Sequence, residues 1–230
     1  MELHNNSVLM ATDVLDLKKQ KRSVTEQKQK IYLHTKRVCD VVLSTIGLIV
    51  LSPVFLIIAL LIKKESKGKI FFKHKRIGKN GKEIYIYKFR TMVENAENLI
   101  KEFTPEQMKE FKENFKLEND PRVTKIGKIL RKTSLDELPQ LLNIIKGDIS
   151  IIGPRPVIGE ELEKYSYNKE KFLSVTPGLT GYWAANGRST TTYEQRMQME
   201  LYYIDHISLK LDIKIFFKTV LSVIKREGAI

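Results

Sequence analysis

The run VCDVVLSTIGLIVLSPVFLIIALLI, residues 38 to 62, constrains this chain more than any other stretch, because its 25 nearly uninterrupted apolar residues match what a bilayer demands of a helix. At about 1.5 Å per residue a straight helix of that length covers a hydrocarbon core of about 30 Å. The 37 mostly polar residues before it exclude a cleaved signal peptide. Two features set it apart from an ordinary single-pass span. Pro53 removes a backbone donor and disfavours helical geometry at Ser52, which predicts a break into two arms. An arm of about 14 residues reaches only about 20 Å. Both flanks are basic, with Lys36 and Arg37 before the run and Lys63, Lys64, Lys67 and Lys69 after it, and positive charge marks the cytoplasmic side. A re-entrant helix that enters one leaflet and returns satisfies the break and both flanks. A kinked spanning helix satisfies the proline alone, and on the residues by themselves both stay open.

The remainder of the chain is basic. A net charge of +13 over 230 residues implies anionic partners: nucleic acid, phospholipid headgroups or nucleotide phosphates. The single Cys39 excludes an internal disulfide framework and a cysteine-rich zinc site, and reads as a packing residue. His4, His34, His74 and His206 are scattered, so no clustered transition-metal set is visible. A hard cation held by carboxylate and phosphate oxygens remains compatible with the sequence.

The pattern divides the chain into a basic N-terminal arm (1–35), flexible or surface-lying, a membrane helix broken at Ser52-Pro53 (36–64), and a catalytic domain (65–230). The arm lacks an apolar period and carries KKQKR at 18 to 22. Behind the membrane run, IFFKHKR and EIYIYKFRT flank Gly78, Asn80 and Gly81, a β-hairpin signal. Residues 63 to 90 hold eleven lysines and arginines against two acids. Acidic helices interrupted near Pro105 are expected over 93 to 118, a short helix over 135 to 146, and a rigid turn at GPRP, residues 153 to 156. The loop 177 to 191 carries three glycines, Trp183 and Arg188. Helices are expected over 193 to 207 and 209 to 226. In the second, Leu209, Ile213, Phe216, Phe217, Val220 and Ile224 recur beside lysines, a pattern that suits a membrane surface, although a core-facing helix is the commoner case. The fold class is therefore α+β, mainly helical, with a small hairpin and amphipathic interfacial helices.

Chemistry concentrates in TSLDELPQLLNIIKGDISIIGPRP, residues 133 to 156, where Asp136 and Glu137 lie close in sequence to Arg131, Lys132 and Arg155. Ser134 and Glu137 also form the capping-box pattern, which places both carboxylates at the start of a helix ending near Gly147. Acid beside base suggests phosphate chemistry: a carboxylate can attack phosphorus, while Mg2+ and arginines offset the charge of a diphosphate. Neighbours on a helix point about 100° apart, so the two carboxylates are not equivalent. No P-loop, GxGxxG or HExxH pattern suggests another class.

With KRVCD (36–40), Ser52-Pro53, YKFRTM (87–92), residues 120 to 156, PGLTGYWAANGR (177–188) and YYIDHISLKLDIKI (202–215), the chain resembles the bacterial sugar transferases, the small monotopic polyprenyl-phosphate phosphoglycosyl transferases. The resemblance runs from about Lys36 to the C-terminus. It implies transfer of a phosphosugar from a nucleotide diphosphate sugar, usually a UDP-sugar, to undecaprenyl phosphate, with Mg2+, as the first membrane step of surface glycan assembly. It implies Asp136 as the nucleophile, Glu137 as its partner in metal binding or proton handling, and both as metal ligands. It places Lys88, Arg90, Arg131, Arg155, Arg188 and Glu200 at positions that bind phosphates or organise the site. It implies the re-entrant anchor, with the catalytic domain on the cytoplasmic face of the bacterial inner membrane. Two departures stand out: Ala184 lies at or beside a usual glutamine, and Glu200 replaces a common aspartate.

The rival readings are a membrane-tethered basic protein for anionic lipid or nucleic acid, and a membrane UDP-sugar hydrolase. No nucleic-acid module is recognisable, so nucleic acid is not expected as a partner. An amphiphilic surface and an aromatic-rich C-terminal half are compatible with a homodimer.

Overall fold

A computed structural model describes residues 2–114, 117, 120–187 and 191–225, with side chains for 27–111, 117, 120–187, 191–222 and 225. Arg188 therefore lies outside the described residues, as does Ile224 as a side chain. The chain forms two compact units, Met1–Cys39 and Asp40–Ile230.

The first helix is α1 (Glu2–Glu65). Residues 2 to 35 are thus helical. Cys39 is exposed, so it is not the packing residue its apolar neighbours suggested. Gln27–Glu65 is long and apolar enough to cross a membrane, and only 11% of its most apolar stretch is buried by protein. The helix is not interrupted at Ser52 and Pro53. Pro53 deprives the Ile49 carbonyl of its normal donor four residues on, and Ser52 Oγ donates to that carbonyl at 2.8 Å instead. A neighbouring hydroxyl supplies the bond the proline lacks, and the helix continues.

The next elements form the hairpin expected from the sequence. Strands β1 (Phe71–Ile77) and β2 (Glu83–Phe89) pair antiparallel, with Phe71 opposite Phe89 and Ile77 opposite Glu83. Asn80 and Gly81 both take positive φ at the turn. Period-two alternation gives the hairpin two unlike faces. Phe89 joins Ile58 and Ile62 of α1 and Leu130 in one core cluster. Ile84 and Ile86, on the other face, pack with Ile144 and Ile149.

Helix α2 (Pro105–Asn114) follows a 3-10 turn at Asn98–Glu102. Helix α3 (Lys125–Thr133) begins at Thr124, whose hydroxyl accepts the Gly127 N–H at 2.9 Å. A Cβ at Gly127 would stand 2.0 Å from the Thr91 carbonyl oxygen, so only glycine lets α3 approach the end of the hairpin this closely. Helix α4 (Gln140–Lys146) ends at Gly147 in the left-handed conformation.

Between α4 and the C-terminal half lies a pair not foreseen from the sequence. Strands β3 (Ser150–Ile152) and β4 (Gly178–Thr180) pair in parallel. A Cβ on Gly178 would meet the Gly153 nitrogen at 2.1 Å, so the glycines of GPRP and PGLTG let two backbones touch. Helices α5 (Gly159–Glu163) and α6 (Lys169–Leu173) pack Leu162 and Phe172 with Val157 and Tyr165. Helices α7 (Tyr182–Asn186), α8 (Tyr193–Asp205) and α9 (Leu209–Lys225) enclose Ala185, Tyr203 and Ile215. On α9 the stripe Leu209, Ile213, Phe216, Phe217 and Val220 is exposed, while Leu211 and Ile215 reach the core. The apolar stripe read from the sequence is therefore not the core-facing one.

Within the second unit, α1 touches the rest at both ends of its apolar stretch. The Ile151 N–H on β3 donates to Asp40 Oδ1 at 2.9 Å, and Asp40 is buried. A Cβ at Gly47 would lie 3.4 Å from Leu141, and Ile58 and Ile62 join the hairpin core. The intervening surface leaves Ile49, Val50, Leu56, Ile57 and Leu60 exposed.

Candidate active site

The expected capping box does not form. Ser134 takes the left-handed conformation at the C-terminus of α3 and makes no side-chain cap bond. Leu135–Glu137 is a 3-10 turn, and α4 starts only after Pro139, which has no N–H to continue an α-helical ladder from residue 135. The Glu137 side chain is thereby turned toward the hairpin. Lys88, near the end of β2, places Nζ 2.6 Å from Glu137 Oε1 and 3.7 Å from Asp136 Oδ2.

Asp136 is 7% exposed. Burial pushes its carboxyl above the ordinary range, Glu137 adds to that push, and Lys88 and Arg131 oppose it. Arg131, on α3, donates from Nε to Thr91 Oγ1 at 3.0 Å. Burial lowers its guanidinium from the usual value, while Asp136 and Asp120 pull the other way. Lys88, Asp136, Glu137 and Arg131 therefore form one cluster where β2, α3 and the 3-10 turn meet.

The other expected residues fall elsewhere. Arg155 lies on the turn after β3, and its backbone N–H donates to Glu200 Oε1 at 3.1 Å. Glu200 is 1% exposed, so it supports the turn from beneath. Burial raises its carboxyl to about 7, against the Arg155 N–H and the charges of Arg196 and Arg155. Arg90 turns away to the end of α1, donating to the Lys67 carbonyl and, at 2.9 Å, to that of Ser66. Asp120 and Arg122 of the DPR segment pair at 2.6 Å, and Arg122 stacks on Phe103 and Phe111. That pair anchors α2.

The roles of four residues, Arg76, Glu161, Arg196 and His74, escaped the sequence reading. Arg76 donates to Glu161 Oε2 at 2.9 Å, and Arg196 donates to Glu161 Oε1 at 3.2 Å while lying over the Trp183 ring. Burial would raise the Glu161 carboxyl, but Arg196 and Arg76 hold it below its usual range. His74 shares the β1 face with Arg76 and Phe72, and Phe72 stands opposite Lys88. The alternation of β1 and the hairpin register carried that signal; the isolated histidine did not.

Among the described residues no three His, Cys, Asp or Glu side chains gather as a metal cage. Two neighbouring carboxylates converging on one ammonium nevertheless suit Mg2+, which takes one or two carboxylates and completes its octahedron with water and substrate phosphate oxygens. Asp136 and Glu137 would be the oxygen donors.

An apolar helix packs against a basic hairpin, whose Lys88 holds the buried Asp136 and the half-buried Glu137. The model of the bacterial sugar transferase family matches residues 31–226, and the chain belongs to that family. It is 46% identical over 198 residues to the exopolysaccharide production protein ExoY of Sinorhizobium fredii, covering 85% of this chain and 88% of that one. It is 41% identical over 197 residues to the undecaprenyl-phosphate galactose phosphotransferase of Salmonella typhimurium, covering 84% of this chain and 41% of the relative. It is 40% identical over 194 residues to the UDP-glucose:undecaprenyl-phosphate glucose-1-phosphate transferase of Escherichia coli, covering 80% and 39%. The chain thus spans about two fifths of the length of the last two relatives.

Proposed function

We propose that the protein transfers a phosphosugar from a UDP-sugar to undecaprenyl phosphate, giving undecaprenyl-diphospho-sugar and UMP. The observation that carries this reading is the convergence of Lys88 on Asp136 and Glu137 beside Arg131. An Asp136 carboxylate oxygen attacks the β-phosphorus, and the bond from that phosphorus to the oxygen bridging to the α-phosphate breaks. UMP departs with that oxygen, leaving the phosphosugar on Asp136. A phosphate oxygen of undecaprenyl phosphate then attacks the same phosphorus and returns the Asp136 carboxylate. Lys88 and Arg131 offset the growing charge beside the buried Asp136. Mg2+ held by Asp136 and Glu137 would add charge neutralisation on the diphosphate.

The same reading makes the protein monotopic on the cytoplasmic face of the inner membrane, with α1 bending at Ser52-Pro53, rather than breaking there, so that both its ends meet that face. Asp40 and Ile62 would lie about 33 Å apart on a straight helix, yet both dock on one domain. A helix crossing the bilayer would carry one of those contacts to the far side. Lipid then covers the exposed apolar face of α1 and the outward stripe of α9.

UMP release from a panel of UDP-sugars with undecaprenyl phosphate and Mg2+ tests the function. Acceptor-dependent release from one sugar is expected. Release at the same rate without undecaprenyl phosphate would make the protein a hydrolase, and no release from any sugar would overturn the donor class.

A further inference from the structure

The hairpin face that carries Lys88 continues past the carboxylates, and what stands there has no role in the proposed chemistry. Phe72, His74 and Arg76 line this face on β1, opposite Lys88, Ile86 and Ile84 respectively. His74 is thus the diagonal neighbour of Lys88 across the strand pair, a separation that long side chains bridge. One further step along the strand, about 7 Å, lies Arg76. The charge of Arg155, from the turn after β3, also reaches His74.

One contact of the ring bears on its tautomer. Arg76 Nη2 stands 3.4 Å from His74 Nδ1. A guanidinium only donates, so Nδ1 accepts and the single proton of a neutral imidazole resides on Nε2. Burial, followed by the charges of Arg76, Lys88 and Arg155, lowers the imidazole to about 4, against a smaller opposing effect of Glu161. Among the described residues Nε2 has no hydrogen-bond partner. A neutral N–H donor set among three cations suits an anion that the cations attract and that the donor orients.

We propose that His74 Nε2–H donates a hydrogen bond to the α-phosphate of the nucleotide sugar, the phosphate that leaves as nucleoside monophosphate, and so positions the diphosphate between Lys88 and Arg155. The inference rests on the phosphosugar-transfer reading. With Asp136 attacking near Lys88, the leaving phosphate lies beyond the β-phosphorus, and the strand face from Lys88 through His74 leads toward Arg155. His74 adds direction there without adding charge.

The test compares wild type, His74→Gln and His74→Phe in three measurements: UMP affinity at equilibrium, kcat and KM for the UDP-sugar, and the imidazole 15N shifts. The inference expects His74→Phe to weaken UMP binding and raise KM about tenfold or more, the range for a hydrogen bond to a charged acceptor. His74→Gln, which keeps a donor, recovers most of both. Its kcat/KM profile between pH 5.5 and 8 matches wild type, because an imidazole already neutral there contributes no titration. The 15N shifts report the Nε2–H tautomer and move on adding UMP. A His74→Phe protein with lower Tm but wild-type UMP affinity and KM would assign His74 to packing and overturn the inference. A wild-type protein that turns over UDP-sugar while its His74 15N shifts ignore UMP overturns the inference alone. One that neither binds UMP nor releases it overturns the underlying reading as well.

Discussion

Lys88 Nζ stands 2.6 Å from Glu137 Oε1, so a strand lysine holds a carboxylate that sequence pattern alone would have assigned to a helix cap. The contact spans 49 positions of sequence and fixes the 3-10 turn that carries Asp136. Lys88→Met leaves the two carboxylates without their nearest cation. UMP release should fall about a hundredfold or more, the usual cost of removing one transition-state charge partner, while the circular dichroism spectrum stays that of wild type. A fall of less than threefold would remove Lys88 from the site.

Arg90 behaves differently. Its guanidinium binds the carbonyls of Ser66 and Lys67 at the end of α1, so its work is to secure the anchor helix. Arg90→Ala should lower unfolding stability in detergent by about 1–3 kcal/mol and leave KM for the UDP-sugar within twofold of wild type. A large rise in KM at unchanged stability would return Arg90 to the substrate.

Glu200 gives the protein a pH-dependent stability. Its carboxyl is raised from an ordinary 4.5 to about 7 by burial, so the folded state holds this proton more tightly than the unfolded chain. The stability it contributes is full below about pH 4.5 and is lost as pH rises through about 7. Glu200→Gln keeps an acceptor for the Arg155 N–H and removes that slope. Chemical denaturation at pH 8 should find the variant more stable than wild type by up to about 3 kcal/mol, with the difference vanishing below about pH 4.5. A constant difference across this range would contradict the assignment.

Asp40 and the hairpin core bind the two ends of the apolar stretch to one domain. In a Cys39→Ser background, Leu33→Cys and Lys67→Cys should both react with a membrane-impermeant maleimide in inverted vesicles and neither in right-side-out ones. Labelling from opposite faces would make α1 a spanning helix.

The hairpin was legible because Asn80-Gly81 and alternating residues are local signals, and α8 and α9 because their apolar periods are long. Asp136 and Glu137 were legible as chemistry from their neighbours in sequence. The local geometry around them was not: Ser134 and Glu137 match a capping box, and Pro139 decides against it by delaying α4 to Gln140. Strands β3 and β4 are three residues each, too short for any period, and their pairing depends on glycines 25 positions apart. Lys88 and Arg90 sit two positions apart in the same YKFRTM motif, a spacing that strand alternation would set on one face, but β2 ends at Phe89, and only the packed structure shows that one serves the carboxylates and the other α1. His74 gains meaning from the register that sets it diagonal to Lys88.

Peptide mass mapping of protein incubated with its UDP-sugar and Mg2+ in the absence of undecaprenyl phosphate tests the central claim most directly. A phosphosugar adduct on the peptide containing Asp136, discharged on adding undecaprenyl phosphate and absent from Asp136→Asn, is the predicted result. An adduct on another residue, or undiminished transfer by Asp136→Asn, would contradict it.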